Sequence, residues 1–448
     1  MRAGSALRKQ VNPRVTAIAI LAVLAAVQAA WWRGLVWKPP APPGATMGGG
    51  GPMSGPPAAF GRRDVIVDTI AGAPDAGDAD GPGRNARFDG PVGIAVGPDG
   101  ALYVADSRNH RIRRVAPDGR TTTVAGGEPG FADGPASTAR FLYPCGVAAA
   151  PDGALYVADT GNHRIRVVRD GTVRTLAGSG AGCRSGPGAT ARFCWPAGIA
   201  YEAGPPPRLW LADTLNGRVR PVGLDGTVGD GWTTPGAPVG VATRTGGPPV
   251  VAAPVAGLLG PAGMALKPRI ETGDVRAESP PTDLVLSSPT ALCAGPQGLY
   301  ATDDRHAAVF DVRGGVAQVL AGAACGAARL EGWHEGSGAT CAFGRIGGVA
   351  ADGKGRIYVS DTSNNAIRRI LLPEAQTPDD QEDDAESRDR GPDEDLRRGY
   401  LWDPGYPPPD WRRGVRPPRA QRGRQEHPDV HSGNPPGPDL RLGPGRRP

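Results

Sequence analysis

Lysine is nearly absent from this chain of 448 residues, aromatic residues make up only 5% of it, and it has six cysteines. Because arginine carries almost all of the positive charge, the net charge of +5 is a weak surplus on a long chain and does not favour a nucleic-acid partner. The apolar fraction is also slightly low, at 39%. Glycine and proline are abundant instead, at 69 and 49 residues, which is typical of turn-dense β-structure and of low-complexity tails.

The N-terminus has the pattern of a targeting segment. A basic region, residues 1–14, precedes an uncharged run over 15–32 that is rich in Ala, Val, Leu and Ile and ends in Trp31 and Trp32. A helix of that length spans about 27 Å, close to the ~30 Å of a bilayer core. The positive-inside rule places residues 1–14 in the cytoplasm and the bulk of the chain outside. The alternative is a cleaved signal peptide, since Val27–Ala29 fits a cleavage site; both interpretations export the chain.

Two stretches flank the main domain. Residues 33–63 are rich in Pro and Gly and indicate a flexible linker. Residues 373–448 form an acidic block followed by a block rich in Arg and Pro, with few β-branched residues. Such a composition buries too little apolar surface to offset the entropy of ordering, so we expect a disordered tail. An electrostatic hairpin between the two blocks is the alternative.

Residues 64–372 contain an internal repeat. Its first clear copy runs through Ala86–Phe88, Pro91–Val96, Pro98–Gly100, Leu102–Asp106 and Asn109–Arg113. One aspartate recurs in each clear copy, at Asp106, Asp159, Asp213, Asp303 and Asp361. The first two intervals are 53 and 54 residues, whereas 90 residues separate Asp213 from Asp303. That gap leaves room for one degraded copy, with strands at Pro238–Ala242 and Pro249–Ala252, so the chain has six units.

Each unit holds four short alternating segments separated by Asp-Gly turns, the pattern of a four-stranded antiparallel blade. Six such units predict an all-β fold, a six-bladed β-propeller. The last copy ends after its third strand. Val65–Gly72 resembles the fourth strands Thr123–Gly126 and Thr175–Gly178, and we therefore predict that this N-terminal segment completes the last blade and removes its free edge.

These motifs resemble the NHL repeat, whose signature joins Pro-x-Gly-(Val/Ile)-Ala to Leu-Tyr-Val-Ala-Asp and Asn-x-Arg-Ile-Arg. The resemblance covers about residues 64 to 371 and implies the propeller fold. It implies little about activity, because similar propellers serve as protein-binding platforms, RNA-binding faces, sensor ectodomains of receptor kinases, and a few metal-dependent lyases and lactonases.

The enzymes among six-bladed propellers carry metal ligands on their innermost strands. Here those strands contain no carboxylate, Asn or His: they are Val92–Ala95, Cys145–Ala148, Ala197–Ala200, Val239–Ala242, Thr290–Cys293 and Gly347–Ala350. We therefore expect no catalytic, cofactor or metal site on the inner strands. Asp75, Asp78 and Asp80 precede Gly81, but their spacing is not that of a calcium-binding EF-hand loop.

Several polar residues recur in every clear blade, which favours a structural role for them. They are the five repeat aspartates, Asn109, Asn162 and Asn216, and the arginines Arg111, Arg164 and Arg218. We expect the aspartates to accept hydrogen bonds from turn amides or from an arginine of the next strand. The third-strand arginines alternate with apolar residues and are predicted to face away from the blade packing, where we expect them to pair with the repeat aspartates and nearby acids; they are Arg111, Arg113, Arg164, Arg166, Arg218 and Arg220. The alternative is a basic band for an anionic polymer. His110 and His163 are interpreted as turn residues.

The cysteines lie in a chain predicted to be exported, which favours disulfides. Cys183 with Cys194, and Cys325 with Cys341, each fall within one inter-blade loop. Closing a loop of this size would stabilise the fold by about 3 kcal/mol in the chain-entropy model. Cys145 and Cys293 fall in opposite blades; Cys145 with Cys194 is an alternative, and the connectivity stays open.

The long inter-blade loops all leave one face of the predicted ring and are its candidate binding surface, with Phe131, Asp133, Trp195 and Trp333 as candidate contact residues. The sequence thus favours a membrane-tethered, extracytoplasmic scaffold that binds a protein or a cell-envelope polymer. The alternative is a metal-dependent hydrolase or lyase whose site lies on the loop face.

Overall fold

The computed structural model describes residues 61–373 except for 245–246, 255, 261–264, 267–268, 272–285, 287, 297, 315 and 323–332. The predictions for residues 1–60 and 374–448, including the anchor and the tail, lie outside these residues. Across the described residues, no helix is long and apolar enough to span a bilayer. They form six small antiparallel sheets arranged as the blades of a propeller, so the predicted fold is confirmed.

The first three blades follow the repeat closely. From the inner strand outwards, blade 1 consists of Pro91–Val96, Leu102–Asp106, Arg111–Val115 and Thr121–Gly126. Blade 2 consists of Pro144–Ala149, Leu155–Asp159, Arg164–Arg169 and Thr172–Ala177, with Gly134–Pro135 on its outer edge. Blade 3 consists of Pro196–Glu202, Arg208–Asp213, Arg218–Gly223 and the two-residue strand Trp232–Thr233.

The other three blades depart further from the repeat. Blade 4 consists of Gly240–Arg244, Gly247–Ala253, Gly257–Leu259 and Ala265–Leu266. Blade 5 consists of Pro289–Ala294, Leu299–Asp303, Ala308–Arg313 and Val316–Ala321, with Arg269–Glu271 parallel to its outer strand. Blade 6 consists of Ile346–Ala351, Arg356–Asp361, Ala366–Leu371 and Ile66–Gly72, with Gly336–Ser337 outside them.

The N-terminal strand closes the ring as predicted. Ile66–Gly72 pairs antiparallel with Ala366–Leu371, from Ile66 opposite Leu371 to Gly72 opposite Ala366. Val67 is buried at the centre of this pairing. The outer edge of blade 6 is thereby covered by a segment that lies about 300 residues away in the sequence.

A short turn of 3-10 helix follows the second strand in blades 1, 2, 3 and 6. These turns are Ser107–Asn109, Thr160–Asn162, Thr214–Asn216 and Thr362–Asn364, and Gly83–Asn85 is a further 3-10 turn before blade 1. Each of the four turns ends in a left-handed residue with φ between 51° and 58°. His110, His163, Gly217 and Asn365 hold these positions, which glycine and asparagine tolerate best.

Glycine on the inner strands lets neighbouring blades touch. A Cβ on Gly146 would lie 2.2 Å from the carbonyl oxygen of Ala197 in the next blade, and one on Gly93 would lie 2.3 Å from that of Cys145. The backbones therefore pack at the channel wall with no room for a side chain. Further out, apolar clusters join neighbouring blades; one combines Ile112 of blade 1 with Val157 of blade 2.

The strand directions give the propeller two faces. The 3-10 turns and the inter-blade loops lie at the end where inner strands begin, which we call the loop face. The tight Asp-Gly turns between first and second strands lie at the opposite end, the hairpin face. The inter-blade loops that the structure describes therefore lie on one face, as the sequence predicted.

Candidate functional site

In four of the six blades, a buried arginine ties the inter-blade loop to the blade. In blade 2, Nη1 of Arg166 donates to Asp159 Oδ2 at 2.7 Å and to the carbonyl of Arg140 at 3.0 Å, and Nη2 donates to the carbonyl of Ala132 at 2.7 Å. Its guanidinium lies 5.1 Å from the ring centroid of Phe141. The loop that enters the blade is therefore held by one side chain.

Four blades share this arrangement, and we call its central residues the hub arginines: Arg113, Arg166, Arg220 and Arg368. All four are at most 1% exposed. The prediction that the third-strand arginines face away from the packing is therefore wrong for these residues. Each hub arginine forms an ion pair with a repeat aspartate, which offsets the cost of burying its charge, so the alternating pattern of the strand did not imply exposure.

The first arginine of each third strand has a different environment. Arg111 lies 2.8 Å from the carboxylate of Asp78, Arg164 donates to the carbonyl of Asn162 at 2.7 Å, and Arg218 donates to the carbonyl of Asp230 at 3.1 Å. These three side chains are half-buried. They lie against loop backbone or loop acids on the loop face.

The repeat aspartates also organise the 3-10 turns. Asp159 Oδ1 accepts the backbone N–H of Leu142 at 2.8 Å, and Oδ2 accepts Asn162 Nδ2 at 2.9 Å. Asn109 and Asn216 donate in the same way to Asp106 and Asp213. Burial raises the pKa of Asp106 to about 6, against the lowering effect of Asn109 and Arg113.

Blades 4 and 5 lack the ion pair between the hub arginine and the repeat aspartate, each in a different way. In blade 5 Phe310 lies at the hub position, and Asp303 instead accepts from the backbone N–H groups of Arg305 and His306 and lies 3.0 Å from His306 Nδ1. In blade 4 the equivalent residues are Ala253 and Leu259, both fully buried. Blade 4 therefore replaces the pair with apolar packing.

Histidines connect neighbouring blades on the loop face. His110 Nδ1 accepts the backbone N–H of Tyr143 at 3.1 Å, and His163 Nδ1 accepts that of Trp195, also at 3.1 Å. Tyr143 and Trp195 have positive φ values of 48° and 54°. Burial lowers the pKa of both histidines, which favours the neutral rings that can accept these hydrogen bonds.

The loop face also exposes aromatic side chains. Phe131 is 48% exposed and Tyr143 is 42% exposed, whereas Trp195 and Trp333 are half-buried. The guanidinium of Arg164 lies 4.1 Å from the ring centroid of Phe131. Tyr143 was missed by sequence reasoning, although its place directly before the inner-strand proline, as for Trp195, could have revealed it.

Two other predicted contact residues are held within the protein. Asp133 accepts hydrogen bonds from Arg166 Nε at 3.0 Å and from the backbone N–H of Thr175 at 3.0 Å. Trp333 lies between Arg84 and Arg368, each 5.6 Å from its ring centroid. Both residues lie on the loop face, where they help to fix the loops.

The central channel opens on this face into a cavity of about 170 Å³. Its wall is formed by the inner strands, with Val92, Ala197 and Leu292 among the lining residues. Its mouth is lined by Trp195, Arg108, Arg345 and Asp304. The two arginines are paired: Arg345 lies 3.2 Å from Asp304, and Arg108 lies 3.4 Å from Asp89.

Within the described part of the chain, no three His, Cys, Asp or Glu side chains are grouped closely enough to hold a metal ion. Of the three aspartates before Gly81, Asp78 pairs with Arg111, and Asp80 accepts from Arg113 and from the backbone N–H of Thr123. These carboxylates thus serve the loop that enters blade 1.

The predicted disulfide between Cys183 and Cys194 is not formed. Both cysteines are free thiols, one exposed and the other buried. Backbone hydrogen bonds join this loop instead, from Gly182 to the carbonyl of Phe193 and from Arg184 to that of Arg192. Cys145, Cys293 and Cys341 are also free, so the alternative pairing of Cys145 with Cys194 is likewise not formed. Cys325 lies outside the described residues.

Residues 88–115 and 141–168, which cover most of the first two blades, match the family model of the NHL repeat. Blades 1 and 2 carry NHL repeats. The resemblance inferred from the signature motifs is therefore confirmed.

Curated relatives share part of the NHL propeller. The chain is 36% identical over 157 residues to Protein SUPPRESSOR OF QUENCHING 1, chloroplastic, of Arabidopsis thaliana, covering 32% of this chain and 15% of that protein. It is 43% identical over 97 residues to NHL repeat-containing protein 2 of Bos taurus, covering 20% and 13%. It is 32% identical over 169 residues to Teneurin-m of Drosophila melanogaster, covering 34% and 6%. The match thus spans less than a sixth of each relative.

Solved structures resemble this chain only weakly, with TM-scores below 0.5. A gluconolactonase from Xanthomonas campestris aligns with a TM-score of 0.46 at 14% identity, covering 70% of this chain and 92% of that one. A structural-genomics protein of unknown function from Bacteroides thetaiotaomicron aligns with a TM-score of 0.49 at 17% identity, covering 68% and 76%. Likenesses of this degree give no information about activity.

Proposed function

We propose that this NHL propeller is a membrane-tethered, extracytoplasmic scaffold that binds a protein or a cell-envelope polymer through its loop face. The observation that carries the proposal is the exposure of Phe131 and Tyr143, at 48% and 42%, on loops that are otherwise tied down by hydrogen bonds. Large apolar side chains held exposed on a rigid scaffold are typical of protein interfaces.

The charges on this face favour a partner that is not strongly charged. Arg108 and Arg345 at the channel mouth are each paired with an aspartate, and Arg164 lies over Phe131. The positive charges at the channel mouth are thus balanced within the protein. Aromatic contacts, with a polar rim, are the interactions that this surface offers a partner.

Site-specific photo-crosslinking in the native envelope tests the binding face. We would place a photoreactive amino acid at Phe131, at Tyr143 or at Leu266, an exposed apolar residue of blade 4 that is 37% exposed. We expect the same adduct from positions 131 and 143 and none from 266. Equal adducts from all three positions, or none from the loop face, would overturn the proposal.

Tethering rests on the sequence pattern of residues 15–32, and it needs its own test. We expect the full chain to remain in the membrane fraction after alkaline carbonate extraction, with its propeller accessible to protease only from the extracytoplasmic side. A mature N-terminus near Ala29, with the protein released in soluble form, would instead establish cleavage of a signal peptide.

A further inference from the structure

We infer that the loop-face end of the central channel is a binding site for one uncharged, ring-sized apolar group. The cavity there has a volume of about 170 Å³. An engineered apolar protein cavity of about 150 Å³ binds benzene. The cavity therefore has room for roughly a single six-membered ring with a small substituent.

The chemistry of the wall selects against polar ligands. The lining includes Val92, Ile94, Val147, Ile199, Val241 and Leu292, and a ring placed among them would leave water for an apolar environment. Such transfer is favourable by about 25 cal/mol per Å² of apolar surface buried. A sugar or an ion in the same place would lose its hydrogen bonds to water.

Several side-chain donors of the wall are already engaged. The hydroxyl of Thr160 donates to the carbonyl of Pro196 at 2.6 Å, that of Thr362 to Pro91 at 2.7 Å, and that of Thr290 to Ile346 at 3.0 Å. The thiol of Cys145 donates to the carbonyl of Tyr143 at 3.3 Å. The three hydroxyl groups hold neighbouring blades together and the thiol bonds within its own blade, so these donors do not serve as recognition groups for a bound ligand.

The paired charges at the mouth of the cavity also favour an uncharged ligand. Arg345 and Asp304 pair with each other, and so do Arg108 and Asp89, so each arginine at the rim is accompanied by a carboxylate. A ligand carrying a full charge of either sign would meet both signs at the entrance. A neutral ring passes this rim without breaking an ion pair.

The ring has two possible sources, a free aromatic molecule or an aromatic side chain of a partner protein. The second source rests on the proposed scaffold function, since Trp195 at the mouth would contact the remainder of such a partner. The chemistry in the channel is the same in both cases.

The test uses the full-length protein with two probes, phenol and the capped peptide acetyl-Gly-Phe-Gly-amide, and with acetyl-Gly-Ala-Gly-amide as the control peptide. Binding is measured by isothermal titration calorimetry. We expect phenol to bind with a Kd on the order of 1 mM or tighter, as seven heavy atoms allow. Binding of the Phe peptide as well indicates a partner side chain, whereas binding of phenol alone indicates a free ligand.

Two matched variants locate the site. Ala197→Phe fills the loop-face cavity, whereas Ala149→Phe adds the same ring to the hairpin-face opening of the channel. We expect the first to weaken phenol binding at least tenfold and the second less than twofold. If Ala197→Phe does not fold, Val92→Leu, which adds one methylene to the same wall, is expected to weaken binding at least threefold.

The inference is overturned if phenol does not bind the wild-type protein, or if the folded filling variant retains wild-type affinity. Its failure is distinguishable from that of the scaffold proposal, because crosslinks from positions 131 and 143 do not depend on phenol. Crosslinking without phenol binding would retain the scaffold and reject the channel site.

Discussion

A single buried arginine connects three parts of the chain in four of the six blades. Each hub arginine holds the aspartate that ends the second strand, the carbonyl groups of the preceding loop and the face of a phenylalanine. Burying an unpaired charge is costly, whereas a complete apolar replacement of an ion pair is often tolerated. Blade 4 shows that replacement within the same molecule, with Ala253 and Leu259 in the equivalent places.

This contrast predicts a non-additive pair of substitutions. Arg166→Leu leaves Asp159 buried without its charge partner and is expected to lower the free energy of unfolding by about 3–5 kcal/mol. Adding Asp159→Ala reproduces the residue types of blade 4 but also removes the acceptor of the Leu142 N–H and of Asn162 Nδ2. The double variant should therefore lose at least about 1 kcal/mol less than the sum of the two single losses. Urea unfolding of both single variants and of the double variant measures this coupling. Simple addition of two losses would contradict this explanation of blade 4.

The histidines that join blades predict a pH-dependent stability. The pKa of His110 and of His163 is lowered by burial, opposed at His110 by Asp89 and Glu128 and reinforced at His163 by Arg164. The unfolded chain binds these protons with a pKa of about 6.5. This contribution to stability is therefore fully present well above pH 6.5 and decreases as the pH falls below about 6.5 toward the lower pKa of the folded state, because the unfolded state then binds more protons.

An internal control exists for the histidine prediction. Asn365 accepts the N–H of Gly90 at 3.0 Å in blade 6, so asparagine performs the same task without titrating. The double variant with His110→Asn and His163→Asn is expected to lose this part of the pH dependence between pH 5 and 8, measured by urea unfolding at each pH. An unchanged slope would show that other groups cause it.

At the scale of the element, the inner strands are defined by contact with the next blade. The glycine of the Pro-x-Gly motif lies where neighbouring backbones approach most closely, as Gly146, Gly198 and Gly348 show. Blade 5 is an exception, since Ala291 follows Thr290, whose hydroxyl reaches the carbonyl of Ile346. The Pro-x-Gly motif therefore determines how closely neighbouring blades pack, in addition to its part in the turn before the inner strand.

Gly146→Ala tests this spacing. The new Cβ would lie 2.2 Å from the carbonyl oxygen of Ala197, so we expect a loss of about 1–3 kcal/mol in the free energy of unfolding. Gly247→Ala is the matched control, because a Cβ at that strand position meets nothing within 4 Å. Its effect should stay within about 0.5 kcal/mol. Equal effects of the two variants, measured by thermal or urea unfolding, would count against close blade contact as the cause.

At the scale of the whole molecule, closure depends on one pairing between the two ends of the domain. Ile66–Gly72 is the outer strand of blade 6 and covers the edge of Ala366–Leu371. Without it, the N–H and C=O groups of that edge would be open to pairing with another chain. Closure of the ring thus requires both the first strand and the last strand of the propeller.

Deletion of residues 64–72 is expected to produce a destabilised protein that self-associates, observed by size-exclusion chromatography with light scattering. A synthetic peptide of residues 62–73 added in trans should restore the monomer, because it can pair with the same edge. A peptide of scrambled sequence serves as the control. A deletion variant that stays monomeric and stable would show that the closing strand is dispensable.

The sequence by itself determined the number of blades, the NHL character of the best copies and the closing strand, because each blade uses the same short pattern of strand and turn residues. Even the degraded blade was located, with strands at Gly240–Arg244 and Gly247–Ala253 close to those expected. Only the tertiary structure decided which arginine of Arg-Ile-Arg is buried, that Cys183 and Cys194 remain thiols, and that Tyr143 belongs to the exposed face. The physical reason is that strand pattern is local, whereas the burial of a charge, the meeting of two sulfur atoms and the exposure of a ring depend on segments brought together by ring closure.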